Sequence, residues 1–208
     1  MEKKAVVLLS GGMDSAVVLF TAAAGGYAAY ALTLDYGQKN FFEIECAKKL
    51  AERAGVRSHK IMTIDLGAFG GSALTSGGRL SCAGEVPDTY VPGRNTVFLS
   101  LALSWAEAEG ADVVFYGANT VDYSGYPDCT KEYVRAFNNL ARAGFAVPVR
   151  IEAPLLDMSK KEIVKKGISL GVDFSMTSSC YFPDETGAHC RRCPSCIIRF
   201  KALQGGKE

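Results

Sequence analysis

Short apolar runs alternate with longer helical patterns along most of the chain, and this alternation constrains the fold more than any other feature. The apolar runs predict strands at residues 5–9, 28–36, 60–66, 112–116 and 147–153, and the intervening segments predict helices at residues 14–24, 41–54, 95–109, 133–143 and 159–170. This pattern is typical of an α/β fold with a parallel, twisted sheet and helices on both faces. Ligands of such sheets bind at the carboxyl ends of the strands. The residues that follow each strand are therefore the candidates for chemistry.

Local signals predict where several of these helices begin and end. Asn95 is the expected N-cap of the third helix, and Ser159 with Glu162 forms a capping box for the last one. Gly55 and Gly171 follow two helices and are expected to terminate them. The irregular, Gly-rich stretch at residues 67–93 predicts a long loop, and loops of this length are usually functional or locally disordered.

Residues 15–34 carry no charged side chain, a length that could cross a membrane. Gly25 and Gly26 divide this stretch, and its halves are better explained as a buried helix and a buried strand. The formal net charge is only +1, so no global field attracts nucleic acid or an anionic membrane. The first residues lack a signal-peptide pattern. We therefore expect a cytoplasmic protein with no membrane partner and no nucleic-acid partner.

The string Ser10-Gly11-Gly12-Met13-Asp14-Ser15 lies between the first strand and the first helix. Two adjacent glycines let backbone N–H groups approach an anion, and the helix N-terminus adds a favourable dipole. The alternative is a plain turn with Asp14 or Ser15 as N-cap. The complete string resembles the SGGxDS pyrophosphate loop of ATP pyrophosphatases, which cleave ATP between its α and β phosphates. This resemblance favours a phosphate-binding loop over a structural turn.

Four cysteines near the end of the chain have the spacing of a metal site. They are Cys180, Cys190, Cys193 and Cys196. Four thiolates can close a tetrahedral zinc site, which leaves no open position and is therefore structural. The alternatives are buried unpaired cysteines, disulfides, which a reducing cytosol disfavours, and an iron–sulfur cluster. We predict a zinc-binding element at residues 176–208, packed on an α/β domain at residues 1–175.

Longer strings carry a closer resemblance over nearly the whole chain. Besides the pyrophosphate loop and the four cysteines, they are LTLDYGQ at 32–38, YVPGRNT at 90–96, VDYSGYPDC at 121–129 and SKKE at 159–162. In these strings the sequence resembles the 7-cyano-7-deazaguanine synthase family, the nitrile-forming enzymes of queuosine biosynthesis. Gly93 and Thr130 depart from the family pattern, where Ala and Arg are expected, and the second departure bears on substrate contacts near that loop.

The resemblance implies an adenine nucleotide alpha hydrolase-like fold and a reaction. Family members convert 7-carboxy-7-deazaguanine and ammonia into a nitrile with two molecules of ATP, through an adenylate and an amide. Mg²⁺ is expected to bridge the phosphates, and no enzyme nucleophile is required. The segment implied to bind ATP comprises Leu9, Ser10, Gly11, Gly12, Met13, Asp14, Ser15, Ala16, Val17, Val18 and Leu19.

The same resemblance suggests individual roles. The residues expected to act directly in catalysis are Asp14, Ser15, Arg94 and Lys160. The residues expected to bind the substrate are Asp35, Gln38, Arg94, Asn95, Asn119, Asp122, Tyr123, Tyr126 and Asp128, with Tyr126 stacking on the base. Lys160 could instead be a solvated surface residue, and Asp35 or Asp122 could instead cap a turn.

Three alternative functions remain open from the sequence. A tRNA-thiolating enzyme would share the pyrophosphate loop and could use the cysteines for iron–sulfur or persulfide chemistry, but a net charge of +1 with no appended domain counts against it. A second alternative is a relative that stops at the amide or modifies another carboxylate. The third is a non-catalytic nucleotide-binding module. A homodimer is an expectation of the family alone.

Overall fold

A parallel five-stranded sheet organises the chain. The computed structural model describes residues 2–69, 72–75, 87–121 and 125–206. The strands are β1 (Lys4–Leu8), β2 (Ala28–Asp35), β3 (Ser58–Thr63), β4 (Val113–Phe115) and β5 (Arg150–Glu152). Their order is β3-β2-β1-β4-β5, and each neighbouring pair is parallel. The predicted parallel sheet is confirmed.

Six α-helices are described around this sheet. They are α1 (Met13–Ala24), α2 (Phe42–Ala54), α3 (Arg94–Glu109), α4 (Lys131–Gly144), α5 (Lys160–Ser169) and α6 (Pro194–Gly205). Short 3₁₀ turns occur at Gly67–Phe69, Pro127–Cys129 and Phe174–Met176. The first five helices match the sequence predictions within a few residues. No helix was predicted where α6 lies.

The helices cover both faces of the sheet, as predicted. Along β1, Ala5 and Val7 pack into a core with α1, α2, α5 and α6, whereas Val6 and Leu8 pack into a second core with α3 and α4. A strand buried on both faces needs no polar alternation. This explains the uncharged stretch at residues 15–34, which forms most of α1 and β2. None of the helices in the described ranges combines the length and hydropathy that a bilayer crossing requires.

Two of the predicted helix caps are settled by the structure. Ser159 and Glu162 form the predicted capping box at the start of α5. The prediction that Asn95 caps α3 is wrong, because Gly93 occupies the cap position with φ of 64° and the helix begins at Arg94. The backbone N–H of Asn95 instead donates to Asp128 Oδ2 at 3.4 Å.

The strand order places the site. From β1 the chain adds β2 and β3 on one side of the sheet, and it then crosses to the other side of β1 to add β4 and β5. The strand order therefore reverses between β1 and β4. At this reversal the connections leave toward opposite faces of the sheet, so a crevice opens above the carboxyl ends of β1 and β4. The segments after β1, β2, β4 and β5 all meet there.

Candidate active site

The pyrophosphate loop, residues 10–15, forms a turn stabilised by its own serines. The Ser15 hydroxyl donates to the Gly12 carbonyl oxygen at 3.0 Å and accepts from the Ser10 backbone N–H at 3.2 Å. The Gly12 N–H donates to Ser10 Oγ at 3.2 Å. Gly12 is the N-cap of α1, and no side chain caps this helix. The alternative in which Asp14 or Ser15 caps the helix is therefore wrong.

Gly11 is required where it stands for two reasons. Its φ is 84°, in the left-handed region that side chains disfavour. A Cβ at this position would also lie 1.9 Å from the Glu43 carbonyl oxygen. The pyrophosphate loop therefore packs directly on the first turn of α2.

Asp14 and Lys160 form an ion pair at one end of the loop. Lys160 Nζ contacts Asp14 Oδ2, and the two side chains are 11% and 24% exposed, respectively. Lys160 is therefore not a solvated surface lysine. Asp14 Oδ1 is buried and has no hydrogen-bond partner among the described residues. An unpartnered buried carboxylate oxygen is costly unless a ligand or cation meets it.

A cavity of about 310 Å³ lies above the carboxyl ends of the strands. It brings together most of the predicted site residues, namely Leu9, Ser10, Gly12, Met13, Asp14, Ser15, Gln38, Arg94, Asn95, Asn119, Tyr126 and Lys160. Gly11 lies behind this wall, beneath α2. Two predicted substrate residues, Asp122 and Tyr123, lie outside the described residues.

The second half of the predicted nucleotide segment faces away from the cavity. Ala16, Val17, Val18 and Leu19 are fully buried and belong to the core between α1 and the sheet. Their side chains pack against other apolar side chains, so they have no contact with the cavity. The part of the predicted segment that lines the cavity is therefore residues 9, 10 and 12–15.

Three predicted substrate residues make hydrogen bonds to neighbouring loops. Asp35 is absent from the cavity wall, and its Oδ1 accepts from the Gly37 N–H at 3.4 Å, as a turn-capping side chain does. Asp128 is buried beside Asn95 and is likewise absent from the wall. Asn119 does line the cavity, but its Nδ2 donates to the Leu155 carbonyl oxygen at 3.1 Å. Asp35 and Asp128 therefore have structural contacts here, and their contacts with the substrate stay a prediction.

Opposite the pyrophosphate loop, Arg94 at the start of α3 provides a positive charge. Its Nη1 donates to Tyr36 Oη at 3.2 Å. Burial alone would lower the pKa of the Arg94 guanidinium, but Tyr36 and Asp128 raise it overall, so the side chain remains a cation. Gln38 supports this corner, because its Oε1 accepts from the Tyr36 N–H at 2.8 Å.

Glu43 is a cavity residue that the sequence analysis missed. Burial raises the pKa of its carboxyl group to about 8, although Arg94 acts in the opposite direction. Glu43 lies in the first turn of α2 rather than directly after β2, so the search for residues at strand ends passed over it. The acidic first turn of a helix that follows a strand end was the available signal.

Aromatic hydroxyls and a thiol complete the wall on the side of β4. Tyr126 is hydrogen-bonded to Thr89, and burial raises the pKa of Tyr126. The Tyr116 hydroxyl is buried with no hydrogen-bond partner among the residues that the structure describes. Burial also raises the pKa of the Cys129 thiol to about 12. These groups are therefore neutral at physiological pH.

The four predicted metal ligands converge. The Sγ atoms of Cys180, Cys190, Cys193 and Cys196 all lie within 4.8 Å of one another. The backbone N–H groups of Phe182 and Cys190 point at Cys180 Sγ, at 3.3 and 3.2 Å. The six described cysteines are free thiols, so none of them forms a disulfide. Four converging sulfurs fit one tetrahedral ion of the zinc type.

The four-Cys element, residues 177–196, contacts the pyrophosphate loop directly. The Ser178 N–H donates to the Gly11 carbonyl oxygen at 3.0 Å. Asn40 Nδ2 donates to Ser178 Oγ at 3.0 Å and to the Cys180 carbonyl oxygen at 2.9 Å. The buried Arg199 of α6 donates to Thr177 Oγ1 at 2.6 Å. Neither Asn40 nor Arg199 was singled out from the sequence, although both line the cavity.

Comparisons with known proteins agree with this site. The model of the family described as queuosine biosynthesis protein QueC matches residues 4–206. A 7-cyano-7-deazaguanine synthase from Cupriavidus taiwanensis is 50% identical over 208 residues, which cover 96% of this chain and 92% of the relative. A 7-cyano-7-deazaguanine synthase from Xanthomonas euvesicatoria is 52% identical over 204 residues, with 95% and 91% covered.

A solved structure supports the fold alone. A 4-thiouridine synthetase, solved with RNA and bound ATP, superposes with a TM-score of 0.56 at 20% identity. The match covers 99% of this chain and 50% of that one. The shared architecture agrees with the strand order described above.

Proposed function

Because the chain belongs to the QueC family of queuosine biosynthesis proteins, we propose that it converts 7-carboxy-7-deazaguanine and ammonia into 7-cyano-7-deazaguanine. The reaction consumes ATP and forms a C–N bond, which makes the enzyme a ligase. One structural observation carries the proposal: the pyrophosphate loop and Arg94 open into the same cavity. A nucleotide and an anionic substrate can therefore meet there.

The reaction needs activation at two oxygens. A carboxylate oxygen and an amide oxygen are both poor leaving groups, so each is first adenylated and then departs with AMP. Backbone N–H groups of the loop and the Lys160 ammonium are placed to hold the pyrophosphate part of ATP. Catalysis then consists of positioning and electrostatic stabilisation, with no covalent enzyme intermediate.

Mg²⁺ fits the same end of the cavity. The buried, unpartnered Asp14 Oδ1 is an oxygen ligand of the kind that Mg²⁺ prefers, directly or through water. Bound there, the ion offsets negative charge on the departing pyrophosphate.

The substrate lies on the other side of the cavity. The Arg94 guanidinium suits a carboxylate, with which it can form paired hydrogen bonds. Gln38 and Asn95 are close enough to the cavity to read the polar edge of the base, and Tyr126 offers a ring for stacking. Asp122 and Tyr123 keep their predicted substrate roles.

The four cysteines bind zinc in this proposal, and the ion has a structural role because four thiolates leave no position for substrate. Free thiols suit a reducing cytoplasm, where we place the enzyme. Its partners in this proposal are small molecules rather than nucleic acid, and the homodimer remains an expectation of the family alone.

The test is incubation with 7-carboxy-7-deazaguanine, ATP, Mg²⁺ and ammonium, followed by mass spectrometry of the base and the nucleotides. We expect the nitrile, a transient amide, AMP and pyrophosphate. ADP and phosphate as the only nucleotide products would contradict adenylation. Accumulation of the amide without dehydration would instead identify an amide-forming relative.

A further inference from the structure

Two carboxylates line the cavity among the described residues, and they differ in their partners. Asp14 is held by Lys160. Glu43 is the other, and its carboxylate has no hydrogen bond or ion pair within the described parts of the chain, although the Arg94 cation acts on it electrostatically. An ionisable group that faces a cavity without a hydrogen-bond partner is available to a ligand.

Nitrile formation creates a need for such a group. When the amide becomes the nitrile, the C–O bond breaks and the oxygen leaves with AMP. Both N–H bonds give up their protons, and each electron pair stays on nitrogen to form a further bond to carbon. No oxidant is required, but a base must take the protons.

We propose that Glu43 is the catalytic base that accepts protons from the substrate nitrogen, in an inference that rests on the proposed function. Its position suits this role. The backbone of Glu43 contacts Gly11 of the pyrophosphate loop, where the nucleotide lies, and its carboxylate faces the Arg94 cation, where the substrate carboxylate lies. The reacting carbon and its nitrogen therefore lie between the two.

The other described groups on the wall are poor candidates. Lys160 is an ammonium group within an ion pair, and Lys39 donates to the Ala73 carbonyl oxygen at 2.7 Å. Arg94 and Arg199 are guanidinium cations. Burial raises the pKa of Tyr116 and Tyr126, and that of the Cys129 thiol to about 12, so these groups keep their protons. Neither histidine lines the cavity.

Burial supports the assignment because it brings the pKa of the Glu43 carboxyl group close to neutral pH. Because burial raises its pKa to about 8, the carboxylate is a stronger base than an exposed glutamate, yet it is still partly ionised near neutral pH. A general base is most effective when its pKa lies close to the working pH.

The experiment isolates the dehydration half of the reaction by supplying the amide and ATP without ammonia. Ionisation of ammonium then has no influence on the pH profile. The variants are Glu43→Gln and Glu43→Asp. Glu45→Gln is the matched control, because it removes a carboxylate from the same helical turn, where Glu45 only pairs with exposed Lys48. Exchange of labelled pyrophosphate into ATP, with the carboxylic acid substrate present, measures adenylation separately.

We expect Glu43→Gln to lower nitrile formation about 100-fold or more, which is the usual size of a general-base contribution. Glu43→Asp should restore part of the rate, and Glu45→Gln should match the wild type. Pyrophosphate exchange should persist in Glu43→Gln. The wild-type rate should rise with pH through about 8 and then level off, because the ionised carboxylate is the active form, and Glu43→Gln should lack this inflection.

Two results would overturn the role of Glu43 while leaving the proposed function intact. One is an unchanged rate of nitrile formation in Glu43→Gln, and the other is a parallel loss of nitrile formation and pyrophosphate exchange. Failure of the wild type to produce any nitrile would overturn the proposed function, and the base assignment with it.

Discussion

The two sides of the nucleotide cavity are built in opposite ways. Helix α1 behind the pyrophosphate loop buries most of its residues in the apolar core. The stretch at residues 181–192 contains no buried residue, and the small cluster around it consists of three buried cysteines with Tyr181 and Cys190. The wall formed by α1 is therefore shaped by hydrophobic burial. The wall formed by the four-Cys element must be shaped by its cysteines and hydrogen bonds. The two walls should respond to different perturbations.

The largest expected effect on stability comes from removing the zinc ion proposed for the four cysteines. Chelation, or Cys196→Ser, should unfold the four-Cys element, because structural zinc supplies on the order of 10 kcal/mol in small zinc peptides and no apolar core replaces it here. Hydrogen exchange should show lost protection at residues 177–196 while α1 stays protected. Stoichiometric iron with visible absorbance in anaerobically purified protein would contradict the zinc assignment. Uniform loss of protection across both walls would contradict the comparison.

A smaller effect is expected from uncoupling the two walls. Asn40→Ala removes the donor to both Ser178 Oγ and the Cys180 carbonyl oxygen. A buried acceptor that is left without its donor lowers the stability of the fold by about 1–3 kcal/mol. We expect a lower melting temperature and a raised KM for ATP, because the Ser178 contact with Gly11 loosens. Asn139→Ala, on the exposed surface of α4, is the control and should change neither quantity. A stability loss with an unchanged KM would mean that the contact does not shape the loop.

The smallest effect on stability should accompany a large effect on turnover. Asp14→Asn should change the free energy of unfolding by less than about 1 kcal/mol. The amide keeps an oxygen acceptor for Lys160, and the substitution removes a carboxylate whose Oδ1 is buried without a partner among the described residues, which offsets the lost ion pair. Turnover should nevertheless fall about 100-fold, since the lost charge acts on bound ligand rather than on the core. Leu19→Ala, on the same helix, should do the reverse and cost about 2–5 kcal/mol while the folded fraction keeps its kcat. A large drop in melting temperature for Asp14→Asn without ATP would contradict this division.

The same contrast explains what the sequence could predict. The strands and the first five helices follow from hydrophobic patterning, because burial shapes that part of the molecule. Helix α6 escaped prediction because its pattern is inverted: Arg199 is buried, whereas Ile197 and Phe200 are 44% and 36% exposed. The hydrogen bonds of Arg199 to Phe174, Thr177 and Ser179 offset the cost of burying a cation there.

The site was predictable in its motifs but less so in its individual side chains. The position of a residue after a strand places its backbone near the cavity, yet it does not fix where the side chain points. Asp35 and Asp128 therefore became loop supports, and Asn119 donates mainly to the loop after β5. Glu43 lies within a helix and was missed although it faces the cavity. Packing between residues far apart in the sequence determines where these side chains point, and local sequence patterns do not reveal it.

The carbonyl of Cys180, which accepts from Asn40, gives the metal and the nucleotide a shared support. Thermodynamic linkage makes such coupling reciprocal. If the bound ion raises the affinity for ATP by some factor, bound ATP raises the affinity for the ion by the same factor. If the four cysteines bind zinc as proposed, the protein should bind zinc more tightly with ATP than without it, and a chelator should remove zinc first from the molecules that lack ATP.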